Sequence, residues 1–97
     1  MAIYVTLVNF TEQGVRNIKD TIKRTDAAKQ AGAAVGVKIR EVLWTQGQYD
    51  MVIISESDDE IAANAMILNA VKGGNIRTQV MRAFTAAEMQ KIIDKVQ

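Results

Sequence analysis

"YDMVIIS", residues 49–55, sets four apolar side chains in succession, Met51 to Ile54, directly behind the polar turn "TQGQ". Successive side chains of a strand point to opposite faces, so such a run offers apolar groups to both sides of a sheet. A strand of that kind belongs inside the sheet, covered on both faces. "IYVTLVNF" (3–10) has the same character. Ile3, Val5 and Leu7 line one face, and Tyr4, Thr6 and Val8 line the other. The β-branched and aromatic content of both stretches supports the strand reading.

Two further strands are more polar. In "VKIREVLWT" (37–45), Val37 and Ile39 share a face with Glu41 and Leu43, while Val42 and Trp44 point the other way. An edge strand with a bulge accounts for that broken pattern. "NIRTQVMRAF" (75–84) also reads as an edge strand.

Helical signals fill the intervals. From Thr11, an N-cap, a long region carries one stripe at Val15, Ile18 and Ile22 and another at Ala28, Ala31 and Val35. The stripes do not share a face, so a break is predicted near Thr25-Asp26, with Gly36 as the stop. "SDDE" (57–60) is a capping box with Ser57 as N-cap; it opens a helix whose apolar face is Ile61, Ala65 and Leu68, widened by Met66. Gly73-Gly74 ends it. "TAAE" (85–88) is a second capping box, before a stripe of Met89, Ile92, Ile93 and Val96.

The resulting order is β-α-β-β-α-β plus a terminal helix. That is an α+β, ferredoxin-like βαββαβ sandwich, read as one domain over residues 1–97. Its topology puts the first and third strands at the centre, where the sequence has its two doubly apolar strands. Right-handed crossovers place both main helices on one side of the sheet. Either Met51 and Ile53 or Val52 and Ile54 then face the uncovered side. A patch of that kind drives association, so a homo-oligomer, a dimer or higher, is expected.

Composition narrows the chemistry. The 97 residues contain no cysteine and no histidine, and the formal net charge is +1. Disulfides, thiolate nucleophiles and the usual ligands of zinc, copper and haem are missing, and so is the side chain best suited to general base work near neutral pH. No metal site and no cofactor are expected. There is no basic stripe interleaved with aromatics, hence no nucleic-acid partner. The apolar opening lacks a basic n-region and is too short to span a bilayer, so a cytoplasmic protein with no membrane partner is expected.

"GQYDMVII", the acidic helix start "SDDEIA" and "GGNIRTQVMRAFT", together with the early "LVNFTEQGVRNIK", resemble the GYD-domain family of small, mostly bacterial proteins. The likeness covers nearly the whole chain. The family takes its name from a Gly-Tyr-Asp signature; here Gln48 separates Gly47 from Tyr49-Asp50. The resemblance implies a ferredoxin-like fold of the dimeric α+β barrel type and no established activity.

Candidate site residues cluster near the hairpin. A two- or four-residue loop centred on Gln46-Gly47 would set Trp44 opposite Tyr49, as a register-fixing pair or as the apolar wall of a pocket. The same register puts Asp50 on the other face, diagonal to Glu41. Two carboxylates so placed can share a proton as an acid/base pair, or each can pair with a cation. Arg16, Lys19 and Lys23 recur at helical spacing, and Arg77 and Arg82 fall on opposite faces of their strand. The bland reading is a solvated surface; the functional one gives Arg16, Lys19, Arg77 or Arg82 a substrate carboxylate to hold. "KGGNIR" (72–77) leaves a helix for a strand and so reads as a helix stop, not a phosphate loop.

Three functions fit. The first is a homo-oligomeric binding domain for a small organic ligand, its pocket between sheet and helices or at the subunit interface, with Trp44 and Tyr49 as wall and Asp50 with a basic partner as anchor. The second is a cofactor-free enzyme, monooxygenase- or isomerase-like, with Asp50 or Glu41 as general base and Tyr49 as hydrogen-bond donor. The third is a purely structural self-association module.

Overall fold

The computed structural model describes all residues from Met1 to Gln97. The chain runs β1 (Ala2–Phe10), α1 (Glu12–Arg16), α2 (Thr21–Ala34), β2 (Val37–Trp44), β3 (Met51–Ser57), α3 (Glu60–Lys72), β4 (Ile76–Ala83) and α4 (Ala86–Ile93), with a 3-10 turn at Ile18–Asp20. The four strands form one antiparallel sheet in the order β2-β3-β1-β4. The two strands with apolar side chains on both faces are therefore the central pair, and the two polar ones are the edges. This is the ferredoxin-like α+β arrangement. No helix is long and apolar enough to cross a membrane.

Register fixes the faces. β1 pairs with β3 through Tyr4↔Ser55, Thr6↔Ile53 and Val8↔Met51, so these side chains share one side. α2 and α3 cover that side, and a small core of Tyr4, Val37 and Ala63 forms there. The other side carries Ile3, Val5 and Leu7 of β1, Val52 and Ile54 of β3, Leu43 of β2 and Met81 of β4. No helix packs on it. Val52 and Ile54 are thus the apolar β3 residues left facing outward. In β2 the register shifts between Ile39 and Glu41, the bulge expected of this edge.

Thr11 caps α1 by accepting a hydrogen bond from the Gly14 N–H at 3.1 Å. The break in the first helical region falls at residues 17–20, not at Thr25-Asp26. The reason is an anchor: the Thr11 N–H donates to the Asn75 carbonyl at 3.0 Å, which ties α1 to the start of β4. Gly14 lies so close to Asn75 that a Cβ there would stand 2.0 Å from its carbonyl oxygen. The chain must turn before it can cross the sheet as α2.

α3 starts two residues later than the Ser57 cap implies. Asp59 is the cap, accepting from the Ala62 N–H at 3.0 Å, while the Ser57 hydroxyl accepts from the Asp59 N–H at 3.0 Å. The helix is also rotated from its expected face. It turns Ala62, Ala63 and Met66 inward, and leaves Ile61 83% and Leu68 68% exposed. Close helix–helix approach explains this, since at Gly32 of α2 a Cβ would stand 2.8 Å from the Met66 sulfur. The Val15, Ile18 and Ile22 stripe likewise lies exposed.

Candidate functional site

Between the helical layer and the sheet lies a cavity of about 630 Å³. The sheet supplies its floor: Tyr4, Thr6, Val8 and Phe10 of β1, Met51, Ile53 and Ser55 of β3, Val37 and Ile39 of β2, and Ile76 and Thr78 of β4. Thr21, Arg24, Thr25, Ala28 and Ala31 line it from α2, Val35 from just past its end, and Ala62, Ala63, Met66, Ile67, Asn69 and Ala70 from α3. Local sequence makes the space. The inward faces of both helices are dominated by alanine, which packs too thinly to fill the gap above the sheet. The volume is within the range of small-molecule pockets.

The wall is mainly apolar, with polar groups interspersed. Arg24 stands out among them. Its Nη1 donates to the Asn17 carbonyl at 2.8 Å, while its buried Nη2 has no hydrogen-bond partner. Trp44 sits beside the same end of the cavity, its indole N–H donating to the Thr21 hydroxyl at 3.1 Å.

The hairpin differs in register from the expectation. The Thr45 N–H donates to the Asp50 carbonyl at 2.8 Å, closing a four-residue loop, Gln46 to Tyr49, one position later along the chain. The register slides by two, and Trp44 pairs with Met51, not Tyr49. Gly47, at φ +128°, supplies the backbone conformation that the loop requires. Tyr49 turns to the uncovered face, and its hydroxyl hydrogen-bonds the Gln79 side-chain oxygen on β4 at 3.0 Å. Trp44 and Tyr49 therefore lie on opposite sides of the sheet and form no common wall.

Asp50 has a definite partner. Its Oδ2 accepts from the Phe10 N–H at 2.9 Å, and its own N–H donates to the Val8 carbonyl at 2.8 Å. The carboxylate stands in for a strand acceptor where the β1–β3 ladder ends. Glu41 pairs across from Ile54, four positions along β3, roughly 13 Å away at strand rise. The structure does not bring the two carboxylates together.

The candidate cations are dispersed. Arg16 pairs with Glu12 at 3.2 Å on the surface. Lys19 lies exposed in the 3-10 turn. Arg77 and Arg82 fall on opposite faces of β4, by their pairing with Asn9 and Tyr4. Arg82 stacks over Phe84, 4.5 Å from the ring centroid, and lies 5.9 Å from that of Tyr4. None of the four lines the cavity. The cation that does, Arg24, had a legible signal: 24, 28, 31 and 35 recur at helical spacing, so the stripe of Ala28, Ala31 and Val35 extends back onto it.

Solved structures similar to this chain show the same fold. MtbAldR superposes with a TM-score of 0.68 at 9% identity over 87% of the chain, which spans about half, 52%, of that protein. FFRP-DM1 gives 0.60 at 17% identity, covering 87% of this chain and all of that one. TTHA0845 from Thermus thermophilus gives 0.55 at 20% identity, covering 89% and 96%. No curated protein matches the sequence. Residues 4–93 match the GYD domain, and the chain belongs to the GYD-domain family.

Proposed function

We propose that this chain is one subunit of a homo-oligomer that binds a small, largely apolar organic molecule between its sheet and its helices. The cavity carries the reading. A chain of this size has little core to spare, and only 11 of its 97 residues are buried. Leaving about 630 Å³ unfilled at the centre forgoes stabilisation that a bound ligand would restore. Trp44 stands beside the cavity's edge, bonded to Thr21, without lining it.

Self-association rests on area and charge. A compact monomer of 10.7 kDa exposes about 5,500 Å². This chain exposes 6801 Å². The excess is larger than the ~800 Å² that each partner of an ordinary stable interface buries. The uncovered sheet face accounts for part of it, with an apolar centre and a rim of both signs, Lys38 and Arg77 against Glu41 and Glu56. A second copy suits that face, because mixed charges allow like surfaces to meet and the net charge is only +1. Packed sheet to sheet, two copies would make a dimeric α+β barrel.

No observation on the molecule favours the catalytic alternative, since the Asp50 carboxylate is engaged by the Phe10 N–H. The binding reading is tested with N-phenyl-1-naphthylamine, a neutral apolar fluorophore. Saturable binding near one site per chain is expected, lost in Ala63→Trp, which fills the cavity, and kept in Ile61→Trp, which points to solvent. Absence of saturable binding, or retention in folded Ala63→Trp, would overturn the proposal.

A further inference from the structure

The two ends of the cavity differ in chemistry. α2 starts at Thr21, which bonds Trp44, and Trp44 pairs with Met51 of β3. α3 ends shortly before Ile76, which pairs with Phe10 of β1. One end of the cavity thus collects Thr21 and Arg24 from α2 and Asn69 from the last turns of α3. At the opposite end α2 runs out at Val35 and β2 begins at Val37, close to Ala63. That end is lined mainly by apolar groups, among which the Ser55 hydroxyl and the Tyr4 ring also stand.

The polar end holds a charge without a counterion. Arg24 is permanently cationic, and no carboxylate lies within ion-pairing distance of it. One terminal nitrogen is tied to Asn17; the other, Nη2, is buried and bonded to nothing. A buried cationic donor without an acceptor is costly. The same end of the cavity is lined by further donors. The Thr21 hydroxyl accepts from Trp44 and keeps its own proton to give, and Asn69 carries an amide NH₂.

We infer that the cavity takes an amphiphile with a single carboxylate head, seated with the head at the Arg24 guanidinium and the apolar body toward Val35, Val37 and Ala63. The inference rests on the cavity being the binding site proposed above, and adds the class and orientation of its occupant. Charge-assisted hydrogen bonds from a guanidinium give the acid its advantage over an uncharged ligand of equal length.

The test compares decanoate with 1-decanol by titration calorimetry at pH 7, below the range where the acid forms micelles. Decanoate is expected to bind at least about tenfold tighter than the alcohol, the order of one hydrogen bond to a charged group. In Arg24→Met the preference for the acid over the alcohol should be lost, both ligands binding alike; Arg24→Lys should keep part of the preference. Equal binding of acid and alcohol by the unaltered protein would overturn the carboxylate assignment while leaving the cavity reading in place. So would a folded Arg24→Met that keeps the preference. Binding of neither ligand would overturn the amphiphile assignment, and the cavity reading falls with it only if the fluorophore also fails to bind. The comparison on the unaltered protein stands even if a variant fails to fold.

Discussion

Replacing Asp50 by alanine removes one acceptor, and the structure identifies the donor that loses it. Two backbone hydrogen bonds at this residue, from Thr45 and to Val8, survive any substitution that keeps the main chain in place. The bond from the half-buried Phe10 N–H to Oδ2, 2.9 Å long, does not. A hydrogen bond to an ionised acceptor contributes about 1.5–3 kcal/mol, and stranding its donor forfeits most of that. For a domain of this length about 2 kcal/mol corresponds to a fall in Tm of roughly 8–16 °C. Asp50→Asn keeps an oxygen at the same place without the charge, so about half the loss is expected. Thermal unfolding followed by circular dichroism at matched protein concentration measures both, since an oligomer's Tm depends on concentration. Amide exchange supplies the local readout: Phe10 should lose protection in Asp50→Ala and retain it in Asp50→Asn. A Tm within about 2 °C of the parent, with Phe10 protection unchanged, would refute the assignment of Asp50 as a strand-end acceptor.

Other consequences can be checked alongside. Gly14→Ala should destabilise by about 1–3 kcal/mol despite alanine's better helix propensity, because the new Cβ meets backbone that cannot step aside. Gly73→Ala, where the nearest neighbour is an ordinary 3.4 Å away, should be near neutral in the same chemical denaturation series. Ile54→Lys puts a charge at the centre of the uncovered sheet face and should leave a folded monomer in sedimentation velocity; an intact oligomer would place the interface elsewhere. The Thr85 backbone N–H holds the Glu88 carboxyl below its ordinary value, with help from the Thr85 hydroxyl. A group with its folded value depressed contributes stability above its unfolded value and loses it as pH falls through the folded one. Acidification below about pH 4.5 should therefore fray the start of α4 first, and Glu88→Gln should remove that step from an NMR pH titration.

Much of the fold was legible because strand periodicity is short and local. Two doubly apolar strands identified the central pair, and the irregular alternation around Glu41 located a bulge without any partner in view. Caps read well where the residue that accepts the hydrogen bond is fixed by spacing alone, as in Thr11 and in Thr85 with Glu88. Decisions made by tertiary contact were not legible. Ser57 and Asp59 are both competent caps, and the Ser57 hydroxyl is instead held by the Gly36 carbonyl of a distant turn at 3.0 Å. The register of the hairpin depended on one residue of loop placement, and that residue moved Tyr49 to the other side of the sheet and separated Asp50 from Glu41. The rotation of α3 followed from how closely α2 approaches at Gly32. Among the candidate site residues, Trp44 stands beside the cavity and the rest do not line it. Arg24 sets a cation into an apolar stripe and so masks the stripe's continuation, although the spacing includes it.

The placement of the two proposed surfaces has its own consequence. The cavity uses the side of β1 and β3 that carries Tyr4, Thr6, Ile53 and Ser55, whereas the sheet-to-sheet interface would use Val5, Leu7, Val52 and Ile54 of the same two strands. One layer of backbone separates ligand from partner. Neither event removes a side chain the other needs, so an oligomer can assemble with the cavity empty, and a ligand need not cross the interface to enter. α4 adds to this division. Its apolar residues Met89, Ile92 and Ile93 are exposed, as is Val96 beyond its end, and a helix of eight residues is marginal in water unless its apolar face is packed. In the proposed oligomer a neighbouring copy would supply that cover. Breaking the interface at Ile54 should then loosen α4 as well, while an apolar ligand continues to bind at the far side of the sheet.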